Sequence, residues 1–441
     1  MHEFVITVSF KTRGYSMNKE ELINQIKNDK TISKPLTSAQ MRFGCILAGF
    51  TAFIILNNSI YFTPGVFGLL YYGLLLIITF AALCGGGILK LNIEMWGIYA
   101  VCWLSILLND IPAIYSAEYR CITFILVTLL VSPAITSEFL AFFRFQMLQY
   151  LLKCCIIISV LSFIGRFVGF SMYLADTGLW CGITAHAMLL GPIAGLSSVT
   201  LFYELLTQKY PSKVSNYWRI FAFISSIFCL IGAASRTSII GVVISLAYIS
   251  IKKASFQKFI PLVFVCFIVC LFSFSFISST WENIAKKNKN DTYLNLDSRS
   301  SMWEQRIREF KESPFCGIGF SSMKGLHDGN SVIVAEDGKT EPGSGWLMIL
   351  STMGICGGLA FLLLINNTIV RISQVKQENF SVLLFALLIF WALEMCAEGF
   401  IFASGSVLCF LFWSVIGAVE GVTHQRTSLK EIECFSVTER K

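Results

Sequence analysis

Charge is scarce in this sequence: only 14% of its 441 residues are Asp, Glu, Lys or Arg, against about 25% in a soluble globular domain. A chain so poor in charge, with 55% hydrophobic residues, cannot maintain an ordinary water-facing surface. Histidine is scarcer still, at four residues, and no CxxC or His/Cys cluster has metal-ligand spacing. No metal and no other cofactor is therefore expected. A Walker loop and a dinucleotide fingerprint are also lacking, so ATP-driven transport would need a separate subunit. The net charge of +7 is not gathered into a basic stripe, which leaves no argument for nucleic acid as a partner.

What the chain has instead is apolar length. Runs of 17 residues and more recur, enough to cross a hydrocarbon core of about 30 Å as helices. The expected fold is an all-α polytopic membrane protein. Twelve spans are predicted, at 43–63, 64–84, 92–109, 114–135, 146–165, 183–206, 218–235, 237–251, 259–280, 344–365, 381–398 and 402–420. The first two run together at Pro64-Gly65, which reads as a tight turn, and Arg120 and Pro133 interrupt the fourth. The polar first 41 residues do not read as a cleavable signal peptide, and Met17 opens a second plausible start. Most of the fifteen cysteines fall inside spans as small apolar residues. Cys181 and Cys316 fall on one expected side and could pair.

Charge then predicts orientation. With the N-terminus in the cytoplasm, residues 1–42 and the inner loops and tail carry 21 Lys and Arg, and the short outer loops carry only Arg120, Arg166 and Arg236. That asymmetry follows the positive-inside rule and puts both termini inside. The expected organisation is a cytoplasmic segment 1–42, spans 1–9 over 43–280, a large outer loop 281–342, spans 10–12 over 343–420 and a cytoplasmic tail 421–441. The loop's nine Lys/Arg against ten Asp/Glu give it no polybasic character.

That loop is the polar island around which the rest is arranged. Trp303, Ile307 and Phe310 fall on one helical stripe, as expected of a surface helix that lays this side on the membrane protein's apolar face. Ser301 with Glu304 can form a capping box, and Pro314 ends the helix. Around it stand the residues able to do chemistry. Arg236 lies in a very short turn, Ser235-Arg236-Thr237-Ser238, where a guanidinium at membrane depth is usually paired or functional. Arg166 follows the fifth span. Either could equally be an interfacial arginine snorkelling to lipid phosphates. Arg299 heads the loop helix, with Arg306 further along it, and either could be a solvated charge. His186, near the start of the sixth span, could be a helix-packing donor. His327, Glu336, Asp337 and Glu341 lie in the loop, and Glu394 and Glu398 share a helix face as possible partners of an arginine.

Together, Ser235-Arg236-Thr237, Ser298-Arg299 with Trp303, and Pro314 with Gly317 and Gly319 resemble the superfamily of O-antigen ligases and Wzy-type O-antigen polymerases. So do Gly178-Leu-Trp-Cys-Gly182-Ile-Thr-Ala-His186 and the post-loop helix from Gly345 through Gly354 to Gly357. The resemblance implies a topology like that of GT-C-type membrane glycosyltransferases, in the bacterial inner membrane, with the active face periplasmic. It implies a substrate glycan carried on polyprenyl diphosphate, membrane lipid around it, and a chain-length regulator and a flippase as partners in the same pathway. Arg236 and Arg299 match the family's two functional arginines and are expected on the diphosphate, because the guanidinium fork binds phosphate oxygens bidentately. Arg166, His186, Trp303 and Arg306 are the expected substrate-binding residues. Ligases carry a His-Asn pair where this chain has Glu341-Pro-Gly-Ser-Gly-Trp346, so another base is required. His327 and Glu341 are the candidates. The expected function is repeat-unit polymerase, with ligase the alternative and a flippase or other secondary transporter the reading from a different class.

Overall fold

The computed structural model describes residues 36–61, 68–109, 117–170, 172–173, 180–207, 213–253, 296–322, 343–374 and 378–419. Among these the chain is mainly helical. The helices are α1 (Ser38–Asn57), α2 (Gly68–Leu83), α3 (Ile93–Leu107), α4 (Ala117–Val131), α5 (Glu138–Val168) and α6 (Ala187–Thr207). They continue as α7 (Lys213–Gly232), α8 (Arg236–Lys253), α9 (Leu296–Glu312), α10 (Gly345–Gln374), α11 (Glu378–Glu394) and α12 (Val407–Val419). Two short antiparallel pairs complete it: β1 (Lys90–Leu91) with β2 (Ile135–Thr136), and β3 (Met172–Tyr173) with β4 (Trp180–Gly182). Helices overlap eleven of the twelve expected spans, and the ninth, 259–280, lies outside the described residues. Five are long and apolar enough to cross a bilayer, and four shorter apolar helices accompany them.

The 31-residue α5 is the spine, about 47 Å long at 1.5 Å per residue. It packs on α1, α6 and α7, while α8 packs on α11 and α6, and α3 lies along α10. Close approach depends on small residues, as expected where lipid tails compete for every apolar contact. A Cβ on Gly195 would come within 2.6 Å of the Phe390 ring, and one on Gly241 within 2.9 Å of the same ring.

One end of the bundle gathers the loop helix and the connections that carry the motifs; we call it the loop end. The start of α6 meets the start of α8 there, since a Cβ on Gly191 would lie 2.7 Å from Ser235 Cβ. The start of α10 meets the end of α11 through Gly345 N–H donating to Met395 O at 2.8 Å. The opposite end is closed by other means. Arg144, fully buried, donates from Nε to Leu130 O and from Nη2 to Leu129 O, both at 2.9 Å, at the end of α4 where unpaired carbonyls collect. Arg219 pairs with Glu204 at 2.9 Å.

The break in α10 organises the loop end. Gly354 has φ 64° and ψ −161°, a region essentially confined to glycine. A break at membrane depth frees backbone groups that lipid cannot satisfy. Here the segment leaving α9 satisfies them. Ile355 N–H donates to Pro314 O at 2.8 Å and Cys356 N–H to Phe315 O at 3.2 Å, while Ile318 N–H donates to Ser351 O at 2.8 Å and Gly319 N–H to Thr352 O at 3.2 Å. Four bonds thus splice residues 314–319 into the helix. The fit needs glycine on both sides: a Cβ on Gly317 would sit 2.2 Å from Thr352 C, and one on Gly354 2.3 Å from Phe315 O. Phe320, fully buried, locks the splice between Phe124 (5.9 Å between ring centroids) and Phe402 (5.4 Å).

Three sequence expectations are corrected. First, α9 begins at Leu296, so Ser301 lies within the helix and is no N-cap. Second, α9 does not bury its apolar stripe. Trp303 and Ile307 are 37% and 40% exposed, while Arg306 and Glu309 are only 1% and 2% exposed. The face turned inward carries the Arg306–Glu309 ion pair, in which each buried charge has the other as partner, so the helical wheel alone does not choose the buried face. Third, Cys181 and Cys316, which could have paired, form no disulfide with each other.

Candidate active site

Arg236 opens α8 and is exposed. It makes no hydrogen bond or ion pair with the described residues. A cation on the first turn opposes the helix macrodipole, a cost of roughly 0.3–1 kcal/mol. That placement is sensible where an anion is to be bound, since the first-turn N–H groups and the guanidinium then face the same charge. The turn behind it is tightly held. Ala234 takes a positive φ of 54°, the Ser235 and Ser238 hydroxyls lie 2.8 Å apart, and Ser238 Oγ donates to the buried carboxylate of Glu394.

From Glu394 the connection runs on to α9. Its neighbour Met395 offers a carbonyl to Gly345 N–H and to Ser344 Oγ, the latter at 3.2 Å. Trp346 Nε1 donates to Ala392 O at 3.0 Å. On the other side of this junction, Trp303 Nε1 donates to Gly343 O at 3.0 Å. Trp303 is therefore a structural donor that ties α9 to the start of α10, with part of its ring left exposed. Arg299 belongs to the first turn of α9, one turn before Trp303; its side chain lies outside the described residues, as do His327 and Glu341 in their entirety.

Arg306 was expected on substrate. Its guanidinium instead turns inward, with Nη2 at 2.6 Å from Glu309 Oε1, while Nη1 has no partner among the described residues. Burial lowers its pKa from the usual arginine range, and the Glu309 carboxylate opposes that shift.

The other two expected residues sit on the segment around β4. The Arg166 guanidinium lies over the Trp180 ring, 5.9 Å from its centroid, a cation–π contact on a buried indole. Gly182, at φ 63°, lets β4 press on α5, where a Cβ would meet Ser162 Oγ at 2.5 Å. Ser162 Oγ accepts from Ile183 N–H at 3.2 Å, and Tyr61 N–H donates to Ile183 O at 3.0 Å, so α1 and α5 both fix this strand. It delivers His186 to the start of α6, where Nδ1 accepts from Met188 N–H at 3.1 Å. His186 is thus the N-cap of α6. With Nδ1 engaged as acceptor, Nε2 is the ring nitrogen placed to donate.

Sequence reasoning left two residues out of the site. Glu394, read as a possible partner of an arginine, bonds the Ser-Arg-Thr-Ser turn through Ser238. Arg120, noted as an interruption of the fourth span and as an outer-loop cation, donates from Nη1 to Ser321 Oγ at 2.8 Å, directly beyond the Phe320 anchor. The signal was present, because an arginine within a predicted span is a functional candidate by default.

A comparison with the curated proteins returns no match. A family model described as O-antigen ligase matches residues 221–362, the stretch that holds the Arg236 turn, α9, the splice and the Gly354 break. Proteins of this family are glycosyltransferase-like membrane enzymes that act on lipid-linked glycans. Over residues 221–362 the chain is similar to this family, which supports its placement near the O-antigen polymerases and ligases.

Proposed function

We propose that the chain polymerises polyprenyl-diphosphate-linked oligosaccharide repeat units, of O-antigen or capsule. It transfers the growing glycan onto the next lipid-linked unit at the outer face of the bacterial inner membrane. In this reading twelve spans cross the bilayer, both termini are cytoplasmic and the loop end faces the periplasm, as the distribution of Lys and Arg favours. The observation that carries it is the contact path Ser238–Glu394, Met395–Ser344/Gly345, Gly343–Trp303, which links the first turn of α8 to Trp303 on α9. Arg236 opens the first of these helices, and Arg299 lies one turn before Trp303 on the second.

The chemistry follows from two guanidinium groups on one diphosphate. An acceptor sugar hydroxyl attacks the anomeric carbon of the growing chain, the bond from that carbon to the phosphate oxygen breaks, and lipid diphosphate leaves with the electron pair. Arg236 and Arg299 stabilise the charge that develops on it, without a metal; preorganised cations in a partly dry site are worth several kcal/mol at this point. His327 or Glu341 takes the proton of the attacking hydroxyl. Arg166 and His186, set by Trp180 and the α6 N-terminus, flank the glycan. Arg306 serves α9 through Glu309.

The matched model's description favours a ligase as the second reading. The stretch Glu341-Pro-Gly-Ser-Gly-Trp346, which lacks the ligase histidine, favours the polymerase. A gel of surface polysaccharide from a strain lacking the protein separates them. A single repeat unit on the lipid A core supports polymerase. No attached glycan, with lipid-linked polymer accumulating, supports ligase, and trapped inner-leaflet units support a flippase. Complementation with Arg236→Ala or Arg299→Ala should reproduce the deletion phenotype, and full-length polymer from both variants would remove this site.

A further inference from the structure

A second cluster at the loop end is used by none of the chemistry above. Tyr119 and Arg120 occupy the first turn of α4, beside Tyr72 on α2. The Tyr72 and Tyr119 rings meet edge to face at 6.3 Å and 84°, and Tyr119 remains 51% exposed. Buried hydroxyls back them: Tyr72 Oη lies 3.5 Å from Ser404 Oγ, and Ser404 Oγ lies 2.8 Å from Thr123 Oγ1, with Ser404 and Thr123 both buried. Arg120 reaches the loop through Ser321, and Ser321 holds a φ of 62°, uncommon for a residue other than glycine.

Lipid alone does not account for this combination. An aromatic belt needs only rings at headgroup level. Here half-exposed tyrosine comes with three small hydroxyls and a guanidinium on the first turn of an apolar helix, a costly placement that usually marks a ligand path. The backbone strain at Ser321 is of the kind that collects at ligand clamps. A pyranose ring asks for this mixture: its C–H face packs on an aromatic ring, and its equatorial hydroxyls need donors and acceptors around the edge. Because Arg120 holds the same loop segment that splices α9 to α10, occupancy here would be linked to the position of α9 and hence of Arg299.

We propose that Tyr72, Tyr119, Arg120 and Ser321, backed by the buried Thr123 and Ser404, form a glycan subsite that holds one sugar ring of the lipid-linked repeat unit. This rests on the reading of the arginine pair as the diphosphate site. The test uses the full-length protein in lipid nanodiscs and two probes: bare polyprenyl diphosphate, and the lipid-linked repeat unit extracted from cells lacking the protein. Tyr119→Ala is expected to weaken binding of the lipid-linked unit about tenfold and to leave the bare lipid unchanged. Tyr119→Phe, which keeps the ring, should regain most of the loss. Arg120→Gln should behave as Tyr119→Ala does, and Arg236→Ala should weaken both probes. If Tyr119→Ala and Arg120→Gln leave the lipid-linked unit unaffected, or weaken both probes equally, the subsite is overturned. If Arg236→Ala affects neither probe, the diphosphate reading falls instead.

Discussion

Ser238 donates its hydroxyl to the buried carboxylate of Glu394, which ties the first turn of α8, two residues past Arg236, to the end of α11. Removing a donor from a buried carboxylate costs about 1–3 kcal/mol. Ser238→Ala should therefore lower the Tm of the purified protein while leaving measurable polymer. Glu394→Leu removes the acceptor that holds the turn and should lose polymer even in preparations that remain folded. Thermal unfolding read beside a polysaccharide gel checks both, and full-length polymer from Glu394→Leu would free Arg236 of this dependence.

The α10 break supplies a sharper contrast. Gly354→Ala places a Cβ on backbone atoms in a conformation reserved for glycine, so little folded protein should be recovered. Gly97→Ala, with nothing within 4 Å of its Cβ, should be neutral or stabilise α3 by up to about 1 kcal/mol. Fluorescence-detected size exclusion of the two variants gives the comparison directly.

His186 offers a test of cap against contact. His186→Ala removes the acceptor for Met188 N–H and should cost about 1 kcal/mol, whereas His186→Asn provides another good N-cap. Tm should fall in the first and recover in the second. Polymer length that recovers with it assigns His186 to positioning α6. Polymer that stays short in the stable asparagine variant assigns the imidazole to substrate.

The buried Arg306–Glu309 pair should behave as such pairs do when broken. Glu309→Gln leaves a guanidinium buried without its charge partner and should cost about 3–5 kcal/mol, while Arg306→Met combined with Glu309→Leu should restore much of it. A double-mutant cycle on Tm measures this. Should the restored double variant fold and still make no polymer, Arg306 would act on substrate after all.

The membrane helices were legible because an apolar run of span length has few other uses. The end of α9 was legible because Pro314 cannot continue a helix. What escaped was set by partners distant in sequence. Gly317 and Gly354 could be picked out separately, but no local pattern says that each makes room for the other's backbone. The stripe Trp303-Ile307-Phe310 pointed to the wrong buried face, because α9 turns inward the Arg306–Glu309 ion pair, which a reading of hydropathy alone does not register. Arg120 was visible as an anomaly, and only the fold supplied Ser321 as its partner.

The most direct test is the affinity of the purified protein for polyprenyl diphosphate, compared across Arg236→Ala, Arg299→Ala and the double variant. Two guanidinium groups on one ligand predict a loss of about tenfold or more for each single change. They also predict a double variant whose loss is not the product of the two, the mark of residues sharing a partner. Wild-type affinity in either single variant, or losses that multiply independently, would contradict it.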